Sequence, residues 1–532
     1  MQKKTQSWVI GLIVFVLVFG LAYFWQWKFG AYKSEFGGHP DEAAHVVTGL
    51  FIHDALVEAG RYAAGGFHGS PIRVGKEFAE RYYTHYPKIG LGVWPPFFYL
   101  VQSAWTFLFG VSRNSLLFLL CTLAGSLAWL VYRFLKEEYG VVLAAATGAV
   151  LISLPLVRNY YGMVMAETLS AVLMFGATMA FGNFLDRQKR SDVIWFGILA
   201  SLAILTKGTG LALALTAPLA LIFTRQFALL KRPVLWVAAL IVVVVAGPWT
   251  WATKDLGKGG WLQPNPSWSF TAQAVPYYAQ KFTMSLGVVV MTLFVVGVVS
   301  RLRGGAKYPG RWAAAGALII SVLIFQSIAP VGLEARHLIP ILPAGLMFAA
   351  AGFDSMAKYL GRGWRIAVFA ALLSAVGVWH FLPIISKGSV GFGPLAETML
   401  INAKPEDEAL VSSDATGEGM FIAEVALHER RPGHVIQRAS KSLASSQWSG
   451  SGYAPAFDKD DDVVKFLTSG KIRYLIIDDA VPADRRREHH DQLKRVVTAH
   501  PDLFLPVAEA DLYRGGELQS VRAKLYTIHP NN

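Results

Sequence analysis

About eleven apolar runs, each near the 17 to 25 residues needed to cross a bilayer, punctuate this chain of 532 residues. They fall at roughly 8–27, 115–132, 141–157, 164–184, 193–206, 209–224, 234–251, 284–300, 312–330, 338–355 and 366–384. A soluble fold cannot bury so many, and a composition that is 54% hydrophobic and 13% aromatic leads to the same conclusion. The expected fold class is therefore mainly α: a polytopic membrane helical bundle of about eleven spans plus juxtamembrane helices. The first run follows Lys3 and Lys4, has no small-residue cleavage site after it and keeps Trp25 and Trp27 at its end, so it reads as an uncleaved signal anchor. The single cysteine, Cys121, lies inside an apolar run and excludes a disulfide framework.

Charge gives the orientation. The segment Gly92 to Gly110 is about span length, and counting it as a crossing would invert every later loop. With Pro95 and Pro96 near its start and Trp94 and Trp105 as interfacial anchors, it reads as a juxtamembrane or re-entrant helix. The loops around Arg133, Arg187, Arg225, Arg301 and Lys358 then join Lys3 and Lys4 on the cytoplasmic side, as positive-inside topology requires. The net charge of +13 is mostly topogenic, and no nucleic-acid partner is needed to explain it. The domain expectation is a membrane unit over 1–387, with an outer loop at 28–90, and a soluble extracytoplasmic unit over 388–532. In the latter, ALVSS, HVIQR, RYLIIDD and KLYTIH alternate with helix-like stretches, the pattern of a small α/β domain.

The outer loop opens with GGHPDEAAHVVTGLF. Asp41 and Glu42 are adjacent and would point about 100° apart on a helix; His45 shares a face with Asp41. One reading makes them a helix start whose carboxylates complement first-turn amides. Another makes His39 and His45 candidate ligands of a divalent metal, although the i, i+4 His pair of H-E-x-x-H is missing. Glu167 at the start of an apolar run, Lys207 in LTKG, and Arg336 with His337 in EARHLIPILP stand on the same expected face. Each cation could simply snorkel to the headgroups, but ionisable groups in a membrane segment favour function. In the tail, SSDATGEGM follows an apolar strand; lacking G-x-G-x-x-G or a lysine, it reads as an ordinary strand-to-helix turn.

These residues carry a resemblance. Asp-Glu in the first outer loop, HYPKIGLGVWPPFFYL, a second acid opening a later helix, the LTKG turn and RHLIPILP together resemble the GT-C glycosyltransferases. Within them they are most similar to the protein O-mannosyltransferase and lipid A aminoarabinose transferase group, over about residues 8–385 with an outer domain appended. Two departures stand out: Pro95-Pro96 is separated from His85 and Lys88, so either could take the family's basic role, and the second acid is Glu where Asp is commoner.

The resemblance implies a plasma (inner) membrane enzyme with its C-terminal domain extracytoplasmic. It would move a hexosyl or pentosyl unit from a polyprenyl-phosphate sugar donor to a hydroxyl of a lipid, glycan or protein acceptor, with membrane lipids around it and no certain cofactor beyond a candidate divalent metal. Asp41 would be the general base, assisted by Glu42 and Glu167. Lys207 and Arg336, with Lys88, His85 and His337, would bind the substrate and its phosphate. The alternative is a transporter or flippase of a lipid-linked or anionic substrate using the same charges. A third reading makes the tail the working part and the membrane unit an anchor.

Overall fold

The computed structural model describes residues 2–66, 70–258, 261, 263, 265–359, 386–446 and 452–529. Among them, six helical segments are long and apolar enough to cross a membrane: Trp8–Lys28, Arg113–Ser153, Glu167–Arg187, Trp268–Leu302, Pro309–Ile328 and Ala335–Ala357. Phe97–Phe109, Gly208–Thr224 and Pro233–Val245 are shorter apolar helices. The expected run at 366–384 lies outside the described residues.

The difference from eleven expected runs has local causes. The run at 234–251 is broken at Ala246 into Pro233–Val245 and Gly247–Ala252, where Pro248 has no amide to continue the ladder. The two runs at 115–132 and 141–157 belong to one stretch, Arg113–Ser153, interrupted at Gly140 with φ +82°. The chain folds back there: a Cβ on Gly148 would lie 2.8 Å from the carbonyl oxygen of Ala128. A left-handed residue ends one limb and starts its antiparallel neighbour, a conformation glycine adopts without strain. Phe97–Phe109 is only 13 residues, about 20 Å of helix against roughly 30 Å of hydrocarbon.

The polar groups sort to two ends of the bundle. At one end Arg301 pairs with Glu138 at 2.7 Å and Arg311 with Glu137 at 3.2 Å. Asp186 accepts the amides of Gly310 and Arg311 at the same end. These contacts tie together three of the loops expected on the basic side. The opposite end holds Asp41, Glu167, Lys207 and Arg336.

The C-terminal region forms a five-stranded sheet in the order β2-β1-β5-β7-β6, with β1 Glu408–Ser412, β2 Val435–Arg438, β5 Ile472–Asp478, β6 Phe504–Arg514 and β7 Glu517–Ile528. A separate two-stranded ladder pairs β3 Ala444–Ser445 with β4 Ala454–Pro455. β2, β1 and β5 run parallel, while β5, β7 and β6 alternate. The α/β expectation is met, with β6 added. Its signal was the Gly515-Gly516 pair, both at positive φ, which closes a tight hairpin. This region is fastened to the membrane part. Glu35 accepts the amides of Gly391, Phe392 and Gly393 at 2.8, 2.9 and 2.8 Å, Arg431 pairs with Asp54 at 2.7 Å, and Arg113 pairs with Glu424.

Candidate active site

Asp41 is the residue just before helix Glu42–Ala64, and its side chain caps none of that helix's amides. It stands at the helix start without a capping hydrogen bond. Instead Asp41 Oδ2 receives Arg336 Nη1 at 3.1 Å and lies 3.5 Å from His39 Nδ1. His39 Nδ1 accepts the Asp41 amide, which leaves the ring proton on Nε2, 3.4 Å from Glu334 Oε2. Both contacts to Asp41 fall on Oδ2, so among the described residues Oδ1 has no partner.

Arg336 organises the rest. Its Nη2 donates to Glu334 Oε1 at 2.8 Å and its Nε lies 3.5 Å from Glu167 Oε1. Lys207 Nζ donates to that same Glu167 oxygen at 2.5 Å. Glu167 is only 2% exposed, so an ionised carboxylate there depends on those two cations. Four residues from four distant parts of the sequence thus form one network: Asp41, Glu167, Lys207 and Arg336. Sequence reasoning missed Glu334, although it stands two residues before Arg336.

The other candidates have different partners. Glu42 is buried and accepts the amides of Gly38 and Val164, each at 2.9 Å, holding the loop before Glu167 against the loop that carries Asp41. Burial raises its carboxyl above the usual range. His45 is buried too; its Nδ1 meets Tyr99 Oη at 2.8 Å, its ring lies 4.3 Å from that of Trp94, and burial pushes it down to about 4, keeping it neutral. His337 bonds Tyr278 Oη at 3.0 Å. His85 ends helix Pro71–His85, its buried Nδ1 without a hydrogen-bond partner among the described residues. Among the described residues no group of three or more His, Cys, Asp and Glu side chains is placed to hold a metal ion. His39 and His45 in particular serve separate hydrogen bonds.

Asp41 opens onto a cleft of about 760 Å³ between the membrane part and the C-terminal region. His39, Lys88 and Lys387 line it as well; His85 does not. Lys88 Nζ donates to the Ala415 carbonyl at 2.9 Å, and burial, followed by the charge of Arg438, pushes its ammonium down to about 7. Burial likewise pushes Lys387 down to about 8. Lys387 was invisible to sequence reasoning because it follows the last apolar run and carries no motif.

The chain has relatives in sequence and in fold. Residues 93–251 match the family described as dolichyl-phosphate-mannose-protein mannosyltransferase, a stretch that includes Glu167 and Lys207. Apo ArnT from Cupriavidus metallidurans superposes with a TM-score of 0.60 at 14% identity, covering 98% of each chain. The chain has the GT-C glycosyltransferase fold. ArnT bound to undecaprenyl phosphate gives a TM-score of 0.59 at 14% identity over 97% of each chain. The archaeal oligosaccharyltransferase AglB from Archaeoglobus fulgidus, in complex with an inhibitory peptide and a dolichol-phosphate, gives 0.51 at 12% identity, covering 87% of this chain and 69% of that one. No curated protein matches in sequence. The GT-C likeness thus runs through the C-terminal sheet, beyond the 8–385 expected from motifs.

Proposed function

We propose that the protein is a membrane glycosyltransferase that moves a sugar from a polyprenyl-phosphate donor to an acceptor hydroxyl at the outer face of the plasma membrane. The observation that carries this reading is Asp41, anchored through one oxygen with the other free, at the wall of a cleft that also holds Lys88. The acceptor oxygen attacks the anomeric carbon, its proton passes to Asp41 Oδ1, and the bond from the anomeric carbon to the phosphate oxygen breaks, its electron pair leaving with polyprenyl phosphate. A positioned base of this kind contributes about 10² to 10⁴ in rate. Lys88, assisted by Lys387, faces the charge that grows on the departing phosphate.

The pairing of Arg336 and Lys207 with carboxylates supports a changed role for them: they hold Asp41 and Glu167 in place, while Lys88 takes the family's basic role in preference to His85. Glu42 acts through the backbone it clamps. The donor sugar would be a hexosyl or pentosyl unit and the acceptor a lipid, glycan or protein. Residues 1–387 would form the transferase unit and 388–532 an extracytoplasmic one. The transporter reading gains nothing, because its supposed relay charges are spent on one another in one network, of which Asp41 lines the cleft. Purified protein in proteoliposomes, given undecaprenyl-phosphate sugar and cell-envelope extract, should release undecaprenyl phosphate with transfer of the sugar; sugar crossing the bilayer without release would reject the assignment.

A further inference from the structure

The cleft has a second wall, which the chemistry above touches only where Lys88 Nζ donates to the Ala415 carbonyl. β1 lies between β2 and β5, so the chain leaves β1 to one side to form β2 and later crosses to the other side to form β5. Open sheets bind ligands where such connections part, outside the carboxyl ends of the parallel strands. Here the segments that follow β1, β2 and β5 all line the cleft: Ser413 to Gly417, Arg438 to Lys441, and the stretch around Arg485 and Arg487. The same cavity reaches Asp41.

Its charge is one-sided. Seven lysine and arginine side chains line the cleft against three aspartates. Arg438 and Arg514 are tied to Glu418, and to Asp414 and Asp478, and form its floor. Arg487 and Lys441 are different. Arg487 is exposed, stacks over the ring of Tyr453 at 5.4 Å and makes no ion pair among the described residues. Among the described residues Lys441 Nζ donates to the Ser446 carbonyl and hydroxyl, at 2.6 and 3.1 Å, and makes no ion pair. Two cations without an ion pair among the described residues, at a strand-end crevice, favour an anion, and a planar guanidinium suits the two oxygens of a phosphate or carboxylate. A volume of about 760 Å³ is in the range of sites that enclose a ligand of a few hundred daltons.

We propose that this crevice binds the acceptor through a phosphate or carboxylate group that the acceptor carries, with Arg487 and Lys441 as its ligands, and so directs the acceptor hydroxyl toward Asp41. The proposal rests on the transferase reading and names its acceptor as an anionic carbohydrate. The donor phosphate stays with Lys88, whose Nζ donates to the Ala415 carbonyl at 2.9 Å.

The test uses the full chain in nanodiscs and four probes: glucose 1-phosphate, glucuronate, neutral methyl glucoside, and undecaprenyl phosphate. Calorimetric titration should show the wild type binding one or both anionic sugars and ignoring the neutral one; which of the two binds tells phosphate from carboxylate. The double variant R487Q/K441Q should bind the anionic sugar about tenfold more weakly or worse, as expected for lost charge-assisted hydrogen bonds, with undecaprenyl phosphate binding and the thermal midpoint unchanged. K88M should do the reverse, losing the lipid and keeping the sugar. Equal sugar affinity in the double variant, no sugar binding by wild type, or weakened lipid binding in the double variant would each overturn the acceptor site. Failure of wild type to bind undecaprenyl phosphate would instead count against the transferase reading itself.

Discussion

Arg336 Nη1 sits 3.1 Å from Asp41 Oδ2 while Nε of the same guanidinium lies 3.5 Å from Glu167 Oε1. One side chain thus hydrogen-bonds the carboxylate of Asp41 and lies within ion-pair distance of that of Glu167, at the start of helix Glu167–Arg187. A planar cation with five donors in fixed directions can do this; an ammonium cannot. The consequence is an Asp41 carboxylate held through Oδ2, with no partner on Oδ1 among the described residues.

Asp41→Asn keeps the size of the side chain and removes proton acceptance. Turnover should fall by at least about a hundredfold, the lower bound for a general base, with donor affinity retained. Near-normal kcat on monodisperse protein would remove Asp41 from the chemistry.

Arg336→Lys separates positioning from phosphate binding. If the guanidinium holds Asp41 and Glu167, kcat drops and the donor Kd stays; if it grips the lipid phosphate, donor Kd rises first. Lys207→Met should lower stability by on the order of 3 kcal/mol, since it strips a cation from a buried carboxylate, and thermal melts in detergent would register it.

Glu42→Gln leaves one oxygen to accept an amide and puts an NH₂ against the other. Either the Gly38 or the Val164 amide then loses its partner, at a cost of about 1 to 3 kcal/mol. A lower melting temperature with a partial loss of kcat is expected. A loss of activity as deep as that of Asp41→Asn, with stability unchanged, would make Glu42 a participant in the reaction.

Lys88 should give donor binding a pH dependence. Its folded-state value of about 7 means that the ammonium is present below that pH and lost above it. Donor affinity should therefore hold below pH 7 and fall as pH rises, by up to about tenfold per unit. Stability runs the other way. Between about 7 and the ordinary lysine value the unfolded chain binds the extra proton, so ΔG of unfolding increases with pH across that window. K88M should flatten both profiles, and titrating donor Kd from pH 6 to 9 reads the first directly.

Membrane sidedness can be read with cysteines in a Cys121→Ser background. Ser191 and Ser520 are both exposed and belong to opposite ends of the expected topology. A membrane-impermeant maleimide applied from outside should label S520C and leave S191C untouched. The converse pattern would invert the assignment of the active site to the outer face.

The membrane class, the apolar runs, the α/β tail and the candidacy of Asp41, Glu167, Lys207 and Arg336 were legible in the sequence, because run length, strand alternation and a charge beside an apolar run are local properties. Asp41 and Glu42 show where that legibility stops. Adjacent positions on a helix point about 100° apart, which says that the two acids have different partners but not which one faces the substrate. Only the arrival of Arg336, nearly three hundred residues later, and of the Val164 amide on the other side decided which partner each acid takes. The same holds for Lys88 over His85, for Lys387, and for Glu334. Each role depends on which backbone comes to lie opposite in three dimensions, and the spacing of residues along the chain carries no record of that.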